Sequence, residues 1–185
     1  EKGLRTKEWI AQLGYTGVEK RMAKYQVKNK EVEVDSTAKD RDSVIFCRAN
    51  KVKNATHGMT MSFELKVIKR TGPPSKRSGV GMILTDDKRM GGIYILEDKI
   101  VSYPTMKAHA LNTTDRWHHY RVESEGRMMR VYIDHDNKPV LSVALGNIEN
   151  RKYSNMMLFG DTTGNSGGHA HWRNVTTMVQ KHVGK

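Results

Sequence analysis

The sequence predicts an all-β chain folded as a two-sheet antiparallel β-sandwich, and three observations carry that reading. In "GMTMSFELKVIK", Met59, Met61, Phe63, Leu65 and Val67 alternate with Thr60, Ser62, Glu64 and Lys66. A period of two is that of a strand with one buried face. Clusters of glycine, proline, aspartate and asparagine recur at intervals of about 8 to 14 residues, the spacing of strands joined by turns. Between those clusters no amphipathic helical pattern intervenes, which excludes alternating β–α units and leaves a sandwich.

In chain order, "LRTKEWIAQLGYTGVEKRMAKY" is the one stretch able to carry helix, and its apolar stripe stops at Trp9, Ile10 and Leu13. It is expected to be an irregular or short-helical leader, residues 1–24, whose Trp9 and Ile10 cover one end of a sandwich spanning 25–182. "YQVKNKEVEV" reads as a hairpin turning at Asn29-Lys30. The strands that follow are "SVIFCRA", "GMTMSFELKVIK", "SGVGMILT", "GGIYILE", "KIVSYP", "WHHYRVES", "RMMRVYID", "PVLSVAL", "NMMLFGD" and "HAHWRNVTTMVQ". Roughly ten or eleven strands result, separated by "TGPPSKRSG", "TDDKRMGG", "SEGR", "DHDNKP" and "DTTGNSGG". No internal repeat or low-complexity linker divides the chain, so one domain is expected.

Composition narrows the function classes. A chain of 185 residues with 37% hydrophobic and 28% charged residues is long enough to bury a core without a staple, and it has no apolar run long enough for a membrane-spanning helix. It begins at Glu1 without methionine or an apolar signal segment, which fits a trimmed or mature form and decides nothing about export. Cys47 is the only cysteine, so neither an internal disulfide nor a thiolate metal cluster can form. Within apolar "SVIFCRA" it reads as a buried, inert thiol. Asn54, Asn112 and Asn174 begin Asn-x-Ser/Thr sequons.

The formal charge of +12 favours an anionic partner. The lysines and arginines are scattered, however, and three phenylalanines and three tryptophans offer few platforms for bases. Nucleic acid is not expected; an acidic polysaccharide, an anionic cell surface or plain solubility remain.

"DRWHHYRVESEGRMMRVYIDHDNKPV" then carries a resemblance. Its Trp-His, alternating strand, glycine turn and aliphatic-Tyr-aliphatic-Asp ending resemble the strand–turn–strand signature of laminin-G-like and concanavalin A-like jelly-roll domains. "NMMLFGDTTGNSGGHAHWRNVTTM" is similar to the closing strand pair of that superfamily, with a "FGD" strand end and a last strand carrying Trp. The resemblance covers about Thr114 to Met178. It implies that Trp117 closes the core edge and that His118 is a framework residue held by local hydrogen bonds. Alternation puts Tyr120, Val122, Val131 and Ile133 inward and His119, Arg121 and Glu123 outward. Asp134 reads as an acceptor for turn amides in "DHDNK".

The resemblance further implies carbohydrate recognition or processing, and an extracytoplasmic or secreted location. Outward positions suited to a glycan are Arg48, Tyr94, His119, Arg121, Arg130, Tyr132, His171 and Arg173, since rings stack on sugar C–H faces and guanidinium forks match carboxylates or sulfates. The leading expectation is therefore a carbohydrate-recognising module binding an oligo- or polysaccharide, acidic by the charge argument. A glycan-cleaving enzyme is the alternative. It lacks the paired-carboxylate strand motif of the sandwich hydrolases, because Glu97 and Asp98 point to opposite faces, and the Arg-Glu and Gln-x-His motifs of the jelly-roll alginate lyases are missing. His119, His171, Tyr132 and Arg121 are the residue types a lyase would need. A structural or adhesive protein-binding module is the third reading.

No cofactor is required by this reading. Asp161 and the carbonyls of "GDTTGN" are hard oxygen donors of the kind that hold a structural calcium in such sandwiches. His169 and His171, two apart on one strand face, suit a transition metal, with no third ligand evident from the sequence.

Overall fold

The computed structural model describes residues 10–13, 24–37, 44–49, 57–71, 80–148, 154–162 and 166–181. Numbered along the chain, the strands form two antiparallel sheets. The eight-stranded sheet runs in the order β1 (Ile10–Leu13), β4 (Val44–Ala49), β14 (Met156–Asp161), β6 (Val80–Thr85), β7 (Arg89–Ile95), β8 (Lys99–Tyr103) and β9 (Ala108–Ala110), with β13 (Gly146–Asn147) also paired to β7. The seven-stranded sheet runs β12 (Leu141–Ala144), β11 (Met128–Ile133), β10 (His118–Glu125), β5 (His57–Arg70), β15 (Gly168–Lys181), β3 (Glu31–Asp35) and β2 (Lys24–Lys28). The fold is the all-β, two-sheet sandwich expected from the alternation.

The alternating strands behave as period two requires. In β5, Met59, Met61, Phe63, Leu65 and Val67 are buried while Thr60, Ser62, Glu64 and Lys66 face outward. Antiparallel register sets Tyr120 opposite Phe63 on one side and Ile133 on the other, so β10 feeds the same core. The centre of that core is aromatic: Phe63 and Phe159 each lie 5.0 Å from the Trp172 ring, Phe46 stacks on Phe159, and Phe63 stacks on Tyr120. Rings from both sheets thus meet between the layers, where burial contributes most. Cys47 is buried in β4 and burial pushes its thiol up to about 11, so it stays protonated, as the apolar run implied.

The β2–β3 hairpin turns where expected, at Asn29 and Lys30, with φ of 51° and 66° in the left-handed region that a tight two-residue hairpin needs. Three strands were not anticipated. Inside the stretch expected to be an irregular leader, Ile10–Leu13 pairs with Val44–Cys47 and forms a sheet edge, which satisfies the outer backbone groups of β4. Trp9 lies outside the described residues. β9 and β13 have three and two residues, too few to show a period.

In β15 the alternation breaks. The register slips between Arg173 and Thr176, and Asn174 takes a left-handed φ of 53°. This bulge turns Val175 inward after Trp172 and leaves Arg173 and Asn174 outward.

Candidate functional site

The outer face of the seven-stranded sheet is polar across its central strands. It carries Arg130 and Tyr132 from β11, His119, Arg121 and Glu123 from β10, Ser62 and Glu64 from β5, and His169, His171 and Arg173 from β15. Six of the eight residues picked from sequence therefore share one face: His119, Arg121, Arg130, Tyr132, His171 and Arg173.

Each arginine there has an acid. Arg121 Nη1 lies 2.9 Å from Glu123 Oε1, and its guanidinium sits 4.0 Å above the Tyr132 ring. Arg130 pairs with Glu125 at 3.3 Å. Arg173 Nε donates to Glu64 Oε2 at 2.7 Å, Asn174 Nδ2 donates to the other Glu64 oxygen, and the guanidinium covers Trp117 at 4.2 Å. The face thus alternates in charge and is not a basic patch. Burial raises the Glu64 carboxyl, but hydrogen bonds from Asn174 and Arg173 outweigh it and hold the group below its ordinary range.

His119 stacks on His135 with ring centres 4.0 Å apart, and its Nε2 meets Ser62 Oγ at 2.7 Å. Burial, then the neighbouring His135, pushes its pKa below the usual histidine value, so the ring is neutral at neutral pH. Farther along β10, from Arg121 onward, a depression of about 350 Å³ opens between β5, β10, β11 and the end of β15, lined by Thr60, Arg121, Glu123, Glu125, Arg130 and Gln180 among others. That volume is at the lower end of the range for small-ligand sites.

Comparison with solved structures finds proteins of similar architecture. An alginate lyase of polysaccharide lyase family 7 superposes with a TM-score of 0.54 at 13% identity, covering 84% of this chain and 82% of that one. A carbohydrate esterase from Shiga toxin-encoding bacteriophage phi24B gives 0.53 at 12% identity over 92% and 90% of the two chains. The carbohydrate-binding module CBM66 from Bacillus subtilis gives 0.50 at 14% over 92% and 94%. The shared fold is a two-sheet antiparallel jelly roll. No protein-family model and no curated protein matches the sequence. At these identities the likeness establishes the fold, and the ligand has to be argued from the residues.

Within this jelly roll, several residues sit elsewhere than the sequence suggested. Trp117 does not close the core edge. It shares the parity of His119 and Arg121, so it lies half-buried on the outer face, beneath Arg173 and 6.4 Å from the His171 ring. His118 is the framework residue expected: buried, with Nδ1 2.9 Å from Asp134 Oδ2 and Nε2 2.8 Å from the Asn112 carbonyl and 3.0 Å from Asp115 Oδ1. Asp134 accepts from the His119 amide across the hairpin and from Arg116.

Arg48 and Tyr94 belong to the other sheet. Arg48 has the inward parity of Val44 and Phe46 and donates to Thr177 Oγ1 at 2.6 Å, bridging the two layers. Tyr94 is 5% exposed, packed with Leu96, Val101, Tyr103 and Met106 on the outside of the eight-stranded sheet. Beside it lies an apolar depression of about 240 Å³. The Asp161 carboxylate is buried and accepts from Ser36 Oγ. Residues 163–165 of its loop lie outside the described residues.

Five carboxylates in and around this face, Glu33, Asp35, Glu64, Asp115 and Asp134, are held below their ordinary values. A depressed folded-state pKa contributes stability that is complete above the unfolded-state value near 4 and is lost as pH falls through the folded value. The urea midpoint is therefore expected to hold from about pH 7 to 5 and to fall steadily between about pH 4 and 2. A midpoint that is flat or rising over the acid range would contradict these assignments.

Proposed function

We propose that the chain is a carbohydrate-recognising module that binds an acidic oligo- or polysaccharide on the outer face of its seven-stranded sheet, outside the cytoplasm. The observation that carries the reading is the depression lined by Arg121 and Arg130, with the Tyr132 ring under Arg121, Ser62 opposite Arg121, and His119 at the next outward position of β10. Paired guanidinium groups, hydroxyls and a neutral imidazole match the carboxylates and hydroxyls of an acidic sugar. Trp117 and Arg173 extend the same face toward β3, which suits a ligand longer than one sugar. The shared jelly roll supports the class, since solved proteins with this fold include a carbohydrate-binding module, an alginate lyase and a carbohydrate esterase. Fold sharing alone assigns no ligand.

Because Glu123 and Glu125 already occupy the two arginines, an anionic sugar binds by exchanging those exposed pairs for its own carboxylate. The net electrostatic gain is then modest, and the chain's remaining positive charge serves mainly long-range attraction. Titration calorimetry against uronate, sulfated and neutral glucan oligomers tests this. The acidic oligomers are expected to bind best, more weakly as salt rises, with Arg121→Ala and Arg130→Ala each costing about 1–3 kcal/mol of affinity. Salt-independent binding to a neutral glucan would remove the acidic specificity. Binding to none of these ligands would remove the glycan reading.

A further inference from the structure

At the other end of the same face, the sheet brings together residues far apart in sequence. Antiparallel pairing of β15 with β3 sets His169 opposite Asp35, His171 opposite Glu33 and Arg173 opposite Glu31. His169, His171 and Glu33 all point outward, and one donor atom from each lies within 4.8 Å of the others. His169 Nε2 is 2.8 Å and His171 Nε2 is 3.9 Å from the same oxygen, Glu33 Oε1. Around a tetrahedral zinc ion with bonds of about 2 Å, donor atoms sit roughly 3.3 Å apart, so small side-chain rotations close the set. Among the described residues this is the one group of three such donors that converges.

A fourth residue gives the cluster its direction. The Nδ1 atom of His171 is hydrogen-bonded to Glu31 Oε1. With the proton held at Nδ1 by a carboxylate, the lone pair of Nε2 is presented toward Glu33 and His169. This carboxylate–histidine relay is the arrangement that orients imidazole ligands and raises their basicity in metal sites. The Glu33 carboxylate is oriented by the Gln26 amide, which donates to its Oε2, while Oε1 faces His169 Nε2. Lys66 lies opposite His171 and Lys69 opposite His169 on β5, and Lys28 lies opposite Glu31 on β2, so three cations balance the charge of Glu31, Glu33 and Asp35. A shallow depression of about 240 Å³ between Gln26, Lys28, Glu31, Glu33 and His171 keeps one side open to water.

We propose that Glu33, His169 and His171 form a binding site for one divalent transition-metal ion of the zinc class, with Glu31 as the positioning residue and water completing the shell. The two imidazole nitrogens, borderline donors beside one hard carboxylate, favour zinc-type ions over calcium, which takes oxygen ligands. The site stands independently of the glycan reading.

The test is calorimetric titration of ZnCl2, with CaCl2 as comparison, into protein made without a polyhistidine tag and stripped with a chelator. One saturable zinc site per chain is expected, together with a rise in melting temperature as zinc is added, and no saturation by calcium. The double variant H169A/H171A abolishes the site. Glu31→Gln keeps all three ligands and weakens zinc by about 10–100-fold, with the near-ultraviolet circular dichroism of the parent. The variant H119A/H135A, which removes the stacked pair elsewhere on the face, retains parental affinity. Zinc binding that does not saturate by about 1 mM, that survives H169A/H171A, or that is lost in H119A/H135A overturns the proposal.

Discussion

Truncating Trp172 to alanine is expected to lower the unfolding free energy by about 3–5 kcal/mol, while the same change at Trp117 costs about 1 kcal/mol or less. Trp172 is fully buried and touches Phe63 from its own sheet and Phe159 from the opposite one, so its removal opens a cavity that no single strand can collapse into. Trp117 rests on the sheet's outer face under Arg173, and its loss removes one cation–π contact and leaves no internal void. Urea unfolding of the two variants side by side reads the difference. A larger loss for Trp117 than for Trp172 would mean that the layers are assigned the wrong way round.

Gly160→Ala is expected to cost about 3 kcal/mol or more, from two causes that add. Gly160 has a φ of 120°, and a Cβ built on it would stand 2.3 Å from the Val44 carbonyl oxygen. The clash is with backbone, because β14 lies hydrogen-bonded between β4 and β6 and has no room to retreat. Gly126 is the control: its φ is 57° and a Cβ there meets nothing within 4 Å, so Gly126→Ala carries only a conformational penalty of about 1 kcal/mol. If both variants melted alike, close strand approach at Gly160 would not be a determinant of the sandwich.

Alternation made most of this architecture readable. Where a strand is long and one face is buried, as in β5, β10 and β11, each inward position named from sequence is buried. The same rule, carried two residues back from His119, would have placed Trp117 outside and His118 inside; the resemblance to a Trp-His signature displaced it. Arg48 and Tyr94 stand apart from the polar face for different reasons. The first follows the inward parity of Val44 and Phe46, and the second faces outward but is covered by a local cluster that periodicity does not reveal.

The acids of the outer face were the harder part. Glu64 was visible as an outward residue, but its engagement with Arg173 and Asn174 depends on a bulge and a left-handed Asn174. Glu33 and His169 are separated by 136 residues, and only the β3–β15 pairing joins them. Strand order, unlike strand position, is a long-range property, and one sequence offers no local signal for it.

Acidic glycan binding to the outer face of the seven-stranded sheet is read out by following backbone amide resonances while a uronate oligosaccharide is added. Saturable shifts are expected at Thr60, Arg121, Glu123, Arg130 and Gln180, spreading toward Trp117 and Arg173. Shifts confined instead to Ile83, Tyr94, Tyr103 and Leu158, around the apolar depression on the eight-stranded sheet, would contradict it.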